Sequence, residues 1–224
     1  VVRGGYSLNS SGGGFKITSS SPTIENCHIH SNTAINTRGG GLSLDHSNAI
    51  ISNCLIEDNG ATNNRGGGIA LWGFEPSFPV ISHCKIQNNT VTNGSGGGIF
   101  VEEWGNPKWD SNPFIDNSFI CGNSPDQIYG PWTDGGNNGI GNNCTFGGCC
   151  LDNGASCEIL SQSACQNSGG VYLGNGADCS TYSCNDDDGD GVLNAVDAFP
   201  NDPHEWIDSD GDGMTDGWEI AFGL

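Results

Sequence analysis

The chain is short of positive charge, and the shortage is uneven. Six Lys and Arg stand against 26 Asp and Glu, a formal net charge of −20 over 224 residues, and no Lys or Arg follows Lys108. Up to that residue 7 acids and 6 bases nearly balance; beyond it lie 19 acids and no base. Such a second half cannot neutralise phosphates, which excludes nucleic acid as a partner. An acidic polymer or an anionic membrane is a poor partner for the same reason. Long apolar runs are also missing. Only 34% of the residues are hydrophobic, and no stretch approaches the ~18 apolar residues of a spanning helix. No targeting signal opens the chain, which begins at Val1 and ends on "WEIAFGL". It reads as a piece of a longer or processed protein, so the missing signal excludes nothing.

Glycine is plentiful, at 37 residues, and the first half repeats itself. Gly-Gly-Gly begins at Gly12, Gly39, Gly66 and Gly96, each followed by an apolar pair two apart: Phe15 and Ile17, Leu42 and Leu44, Ile69 and Leu71, Ile99 and Val101. Further on, "PTIENCHIHSN", "AIISNCLIEDN", "PVISHCKIQNN" and "PFIDNSFICGN" align without gaps. They give columns of Ile24, Ile51, Ile81, Ile115; of Cys27, Cys54, Cys84, Ser118; of Ile29, Ile56, Ile86, Ile120; and of Asn32, Asn59, Asn89, Asn123. Val2 precedes its triplet by ten residues, as Ile29 does, so residues 1–10 read as the tail of an earlier coil.

A leucine-rich repeat would need its regular Leu spacing, and helical repeats a period of 3.6; neither is present. Short period-2 bursts joined by Gly/Asn turns fit a parallel β-helix, in which equivalent residues stack ~4.8 Å apart. The Ile columns then make the core. The Asn column pairs its amides from coil to coil and supplies the left-handed turn. The Cys column reads as small buried hydrophobes; a soft-metal site competes weakly, because Ser118 breaks the column and no His joins it. Cys121 and Cys144 lie outside it and are candidates to bridge and close the last coil.

These coils resemble the right-handed parallel β-helix repeat of pectate-lyase-like folds, and in particular the "GGGI…PxIxNCxIxxN" coils of bacterial surface proteins. The resemblance covers residues 1 to about 146. It implies an all-β fold of about 4–5 coils, but not a function, since such folds carry both enzymes and adhesive stalks. Related lyases use acidic Ca²⁺ ligands with a Lys or Arg base, and hydrolases use carboxylate clusters. The outward positions after each triplet are Lys16 and Thr18, Ser43 and Asp45, Ala70 and Trp72, Phe100 and Glu102. They offer no Asp-Asp pair, and the Arg38/Arg65 column has no acidic partner in register. No catalytic residue is assigned.

The segment from triplet to core Ile lengthens from 12 residues in the first two coils to 15 and then 19. The additions carry aromatics beside carboxylates. Trp72, Phe74, Glu102, Glu103, Trp104, Trp109 and Asp110 are therefore candidate ligand-binding residues, with rings to stack on sugar faces and acids to accept from hydroxyls. The competing reading is that these loops only cover the sheet.

Cys149, Cys150, Cys157, Cys165, Cys179 and Cys184 crowd one loop-rich segment. No CxxC and no nearby His supports a zinc site, so three disulfides in an oxidising, extracellular setting are expected, with fifteen connectivities open. The segment resembles small Cys-Cys-Leu modules in secreted proteins of marine bacteria.

From Asn185 onward, 40 residues hold 12 carboxylates. An acidic run is ordinarily a solvated tail, but this one keeps a register. A Ca²⁺ loop takes oxygens from positions 1, 3 and 5, turns at a Gly in position 6, uses the carbonyl at 7 and closes with an acid at 12. Asp186, Asp188, Asp190, Val192, Asn194 and Asp197 occupy positions 1, 3, 5, 7, 9 and 12 of one loop, with Gly191 at the turn. Asp208, Asp210, Asp212, Met214, Asp216 and Glu219 occupy those of a second, with Gly213 at the turn. So many flexible oxygens suit Ca²⁺ better than octahedral Mg²⁺. The intervening "AFPNDPHEW" resembles the links of thrombospondin type-3-like calcium repeats. Only "TDGWEIAFGL" is expected to begin a helix.

The expected organisation is thus a parallel β-helix at 1–146, a disulfide module at 147–184 and calcium-binding repeats at 185–224. The expected role is a structural or adhesive protein of the cell surface, with Ca²⁺ as cofactor and carbohydrate or another surface protein as partner. The alternative is a polysaccharide-active β-helix enzyme.

Overall fold

The computed structural model describes residues 1–106, 110–151, 154, 156–177, 179, 184–190, 192–194 and 197–223. The chain divides into two compact units, Val1–Cys144 and Thr145–Leu224.

The first unit is a right-handed β-solenoid of about five turns. Its strands form four parallel sheets of six, four, five and five members. One coil shows the pattern. His28–His30, Thr33–Ile35, Leu42–Asp45 and Ile50–Ser52 each join a different sheet, and Leu55–Glu57 returns to the first. Register follows the repeat: Ile24 pairs with Ile51, which lies over Ile81 and then Ile115; Val2 pairs with Ile29, which lies over Ile56, Ile86 and Ile120. These residues and the Leu42/Leu44, Ile69/Leu71 and Ile99/Val101 pairs form one continuous core. The Gly triplets are required by the close approach of coils. Gly39 takes φ +71, and a Cβ on Gly40 would sit 2.4 Å from the Gly60 carbonyl oxygen.

The Asn ladder forms as expected. Asn32 Nδ2 donates to Asn59 Oδ1 at 2.9 Å, Asn59 to Asn89 at 2.9 Å and Asn89 to Asn123 at 3.0 Å. Asn123 finishes the stack on Gln127 Oε1 at 2.9 Å. The left-handed turn, however, belongs one position earlier, to Ser31 (φ 55), Asp58 (φ 53), Asn88 (φ 55) and Gly122 (φ 64). The turning side chains of Ser31, Asp58 and Asn88 face solvent, so the inward amide has to be carried by the next residue. A second, exposed ladder runs through Asn9, Asn36, Asn63 and Asn93, and these do take positive φ.

Cys54 and Cys84 are buried and free, and Cys27 is half-buried and free. The Cys54 and Cys84 thiols donate to the carbonyls of Ser52 and Ser82, two residues back, as the Ser118 hydroxyl does to Asp116. The contact with Cys54, followed by burial, pushes the Cys84 thiol up. Rungs one strand spacing apart put the first and third thiols about 10 Å from each other, too far to share a metal. At the other end of the unit Cys121 bonds to Cys144, and Trp132 and Ile140 pack against the core.

In the second unit an antiparallel sheet places Phe146–Leu151 between Ser156–Ser161 and Val171–Tyr172, with helix α1 at Gln162–Asn167. Three disulfides staple it: Cys149–Cys165, Cys150–Cys184 and Cys157–Cys179. Beyond them the chain forms two acidic loops and a short helix α2, Asp216–Phe222, capped by Thr215 and ended by Gly223 at φ 71. Among the described residues no helix is long and apolar enough to cross a membrane.

Candidate metal centres and aromatic edge

The two acidic loops share one hydrogen-bond pattern. At position 1, Asp186 Oδ1 accepts from Gly189 N and Asp208 Oδ1 from Gly211 N. At position 3, Asp188 Oδ1 accepts from Asp190 N and Asp210 Oδ1 from Asp212 N. At position 5, Asp190 Oδ1 accepts from Val192 N and Asp212 Oδ1 from Met214 N. Each of the last four closes an Asx turn, the local habit of a short acid chain that binds its own backbone. The left-handed residues at position 4, Gly189 (φ 77) and Gly211 (φ 78), match as well. Gly213 turns the second loop at φ 89, while Gly191 lies outside the described residues.

With Oδ1 of each acid held by backbone, the carboxylates are turned toward one another. Asp186, Asp188 and Asp190 bring ligand oxygens within 4.8 Å of one another, and so do Asp208, Asp210 and Asp212. In the first loop Asp188 Oδ2, Asp190 Oδ2 and Asp197 Oδ2 are buried without a hydrogen-bond partner, and Asp197 as a whole is 8% exposed. Loss of water pushes the Asp188 carboxyl above the usual carboxylate range, and the charges of Asp190, Asp197 and Asp186 push the same way. Glu219 behaves alike in the second loop: desolvation, then Asp210, Asp212, Asp216 and Asp208, raise it. Buried carboxylate oxygens without donors are costly unless a cation meets them.

Position 9 has a different task. Asn194 Oδ1 accepts from Asp187 N, and Asp216 accepts from both Ser209 N and Ser209 Oγ, which lowers the Asp216 carboxyl. These side chains brace position 2 of the loop; a ligand at position 9 commonly acts through water. Val192 and Met214 have their N–H groups tied to position 5.

On the solenoid, the outward strand positions are less open than the alternation suggests. Ser43 and Ala70 have no exposure and Phe100 has 1%. A second layer covers them. Trp72 Nε1 donates to Ser43 Oγ at 2.9 Å, and Arg38 sits 4.5 Å over the Trp72 ring. Arg65 lies 4.8 Å over Phe100, which stacks on Tyr129 at 5.5 Å. Arg65 also grips Glu102, with Nη1 at 2.9 and 3.1 Å from its two oxygens. In register Arg65 pairs with Ser95, as expected of a column without an acidic partner there, but its long side chain reaches Glu102, at the Trp72 position of the next coil. Trp72 and Glu102 serve this cover.

Phe74, Trp104 and Asp110 come together at the loop edge. Phe74 and Trp104 stack at 5.6 Å with 79% and 51% exposure. Trp104 is held by Nε1 to the Gly73 carbonyl at 3.1 Å, and its backbone N donates to Asp110 Oδ1 at 2.7 Å. Glu103 is exposed beside it; Trp109 lies outside the described residues. One further cluster went unread in the sequence. On the outer face of the first sheet His28 stacks on His30 at 4.2 Å and meets Glu57 Oε1 at 2.8 Å, while Gln87 donates to Glu57 Oε2 at 2.8 Å. Its signal was "HIH", two like side chains on one face of a strand.

A family model described as a right handed beta helix region matches residues 6–143. No curated protein and no solved structure gives a significant match.

Proposed function

The chain belongs to the right-handed β-helix family, and from that premise we propose that it is an extracellular structural or adhesive surface protein whose acidic segment is held in shape by Ca²⁺. The observation that carries the cation is the trio of donorless buried oxygens on Asp188, Asp190 and Asp197. The ion would take carboxylate oxygens of Asp186, Asp188, Asp190 and Asp197 in one loop, and of Asp208, Asp210, Asp212 and Glu219 in the other, with the Val192 and Met214 carbonyls completing the shells. Hard oxygen donors in such number favour Ca²⁺ over Mg²⁺. Four disulfides support an oxidising, extracellular setting. The segment resembles thrombospondin type-3-like repeats, and its job is that of a spacer stiffened by its ions. Calorimetric titration with CaCl₂ should show binding that MgCl₂ at equal concentration does not reproduce. No heat of binding at millimolar Ca²⁺ would remove the cation from this reading.

A carbohydrate partner is favoured by the Phe74–Trp104 shelf, two exposed rings flanked by Asp110 and Glu103. Aromatic faces stack on sugar rings and the acids accept from hydroxyls. Binding on a glycan array should fall in Phe74→Ala and Trp104→Ala; equal binding would point to another surface protein as the partner. The enzyme alternative needs a free Lys or Arg base beside acidic Ca²⁺ ligands if it is a polysaccharide lyase, or a pair of free carboxylates if it is a glycoside hydrolase. Glu102 is engaged by Arg65, which weighs against a role as acid or base. Turnover of polygalacturonate or alginate would reverse that judgement.

A further inference from the structure

The two acidic loops match in hydrogen bonding, yet their surroundings differ. The first follows directly on the Cys150–Cys184 disulfide. Leu193, at its position 8, is 4% exposed and packs in a small core with Cys150 and Cys184, with Cys157 and Leu173 against it. Asp197, its position 12, is 8% exposed, has Oδ1 fixed by Phe199 N and leaves Oδ2 without a partner. The second loop has no comparable support. None of Asp208, Asp210, Asp212, Met214, Asp216 and Glu219 is buried, and Asp210 and Asp212 are exposed. Both Asp208 oxygens are already occupied, by Gly211 N and Gly213 N. Its closing acid, Glu219, stands on α2, a seven-residue helix with no buried residue. Isolated helices so short are marginal in water.

We propose that the loops are unequal: the first is a tight, structural cation site anchored on the Cys150–Cys184 disulfide, and the second is a weaker, exchangeable site whose occupancy orders α2. This rests on the cation reading above. A preformed cage loses less entropy on binding, and donorless oxygens held in place gain the most from an ion. At the second site binding must also collect Glu219 and with it the first turn of α2. The disulfide acts as a positioning element: it touches no ion, and it fixes Leu193 in the middle of the loop.

The test is calorimetric titration of the full chain with CaCl₂, with circular dichroism recorded at each step. Two phases are expected, and helical signal should rise only in the weaker one. Asp197→Asn should remove the tight phase and leave the weak one. Glu219→Gln should do the reverse and abolish the helical gain. The double variant Cys150→Ser/Cys184→Ser should weaken the tight phase by about 10- to 100-fold, the usual effect of losing support behind a metal ligand; the weak phase is expected unchanged. In every variant the retained phase reports that the rest of the unit is folded. Two equal sites, loss of the tight phase in Glu219→Gln, or both phases intact in the cysteine double variant would each overturn the inference while leaving the cation reading standing. No binding by the unaltered chain would overturn both.

Discussion

Asn59 shows how much one side chain can do in a stacked fold. Its Oδ1 accepts from Asn32 N and Asn32 Nδ2, and its Nδ2 donates to the Ile29 carbonyl and to Asn89 Oδ1. It is 1% exposed, so no water can replace any of these partners. Replacement by Ala strands the Asn32 N–H and the Ile29 carbonyl in a dry corner. Each unsatisfied buried group costs about 1–3 kcal/mol, and Asn59→Ala should lower stability by about 3–5 kcal/mol in urea unfolding of the solenoid. Asn36→Ala, in the exposed ladder, should cost less than about 1 kcal/mol, because water takes over its bonds. Equal losses at the two positions would refute the distinction between the ladders. The contrast with the thiol column is instructive. Cys54 and Cys84 make the same contact as Ser118, a bond to the carbonyl two residues back; that explains how Ser can occupy a Cys rung.

At the scale of strands, the outer face of the first sheet carries a small polar network built from three neighbouring coils: His28, Glu57 and Gln87. The Gln87 amide, and next to it His28, hold the Glu57 carboxyl below its ordinary value of 4.5. A carboxylate whose folded pKa is depressed contributes stability above its unfolded pKa and loses it as pH falls through the folded value. Glu57→Gln should therefore be less stable than the unaltered chain at pH 7, by about 1 kcal/mol for a partly exposed network. The gap should close below pH 4.5, as Glu57 itself becomes neutral. A gap that stays constant from pH 7 to pH 3 would show that Glu57 acts through packing alone. This network also marks where reading strands from sequence ends. Core columns were legible because the same residue types recur in the same order within each coil: each core Ile and each ladder Asn found its neighbour one coil on. Contacts between unlike residues on the outer face carry no such periodic signal. Glu102 occupies the strand position that Trp72 holds one coil earlier, and Phe100 pairs in register with Tyr129; Arg65 meets both only by reaching along its neighbouring coil. The left-handed corners were assigned to the ladder Asn, one residue late, because composition names the residue types a turn prefers without saying which of two neighbours turns the chain.

At the scale of the molecule, the charge that is nearly balanced through Lys108 and wholly acidic after it predicts two units that respond differently to ions. The solenoid owes its stability to a continuous apolar core and to amide ladders, and neither depends on a cation. Residues 185–224 hold 12 carboxylates and no Lys or Arg, with little apolar burial beyond Leu193. Their mutual repulsion is relieved by bound ions or, less effectively, by screening, whose reach shrinks to ~3 Å at 1 M salt. The Cys150–Cys184 bond sets the limit of opening, because the chain before it remains stapled. Trypsin has no cleavage site after Lys108 and is uninformative here. A protease that cuts before Asp meets sites throughout 186–216 and should discriminate sharply. In chelator it should release the acidic segment within the time that millimolar CaCl₂ keeps the segment intact, while the fragment containing residues 1–144 persists in both. Raising NaCl in the presence of chelator should slow cleavage only in part, since screening softens repulsion but supplies no ligand to the donorless oxygens of Asp188, Asp190 and Asp197. Full protection by NaCl alone would mean that the segment responds to ionic strength and that its register of acids holds no specific ion. Cleavage at one rate in chelator and in CaCl₂ would mean that the segment is already rigid without either.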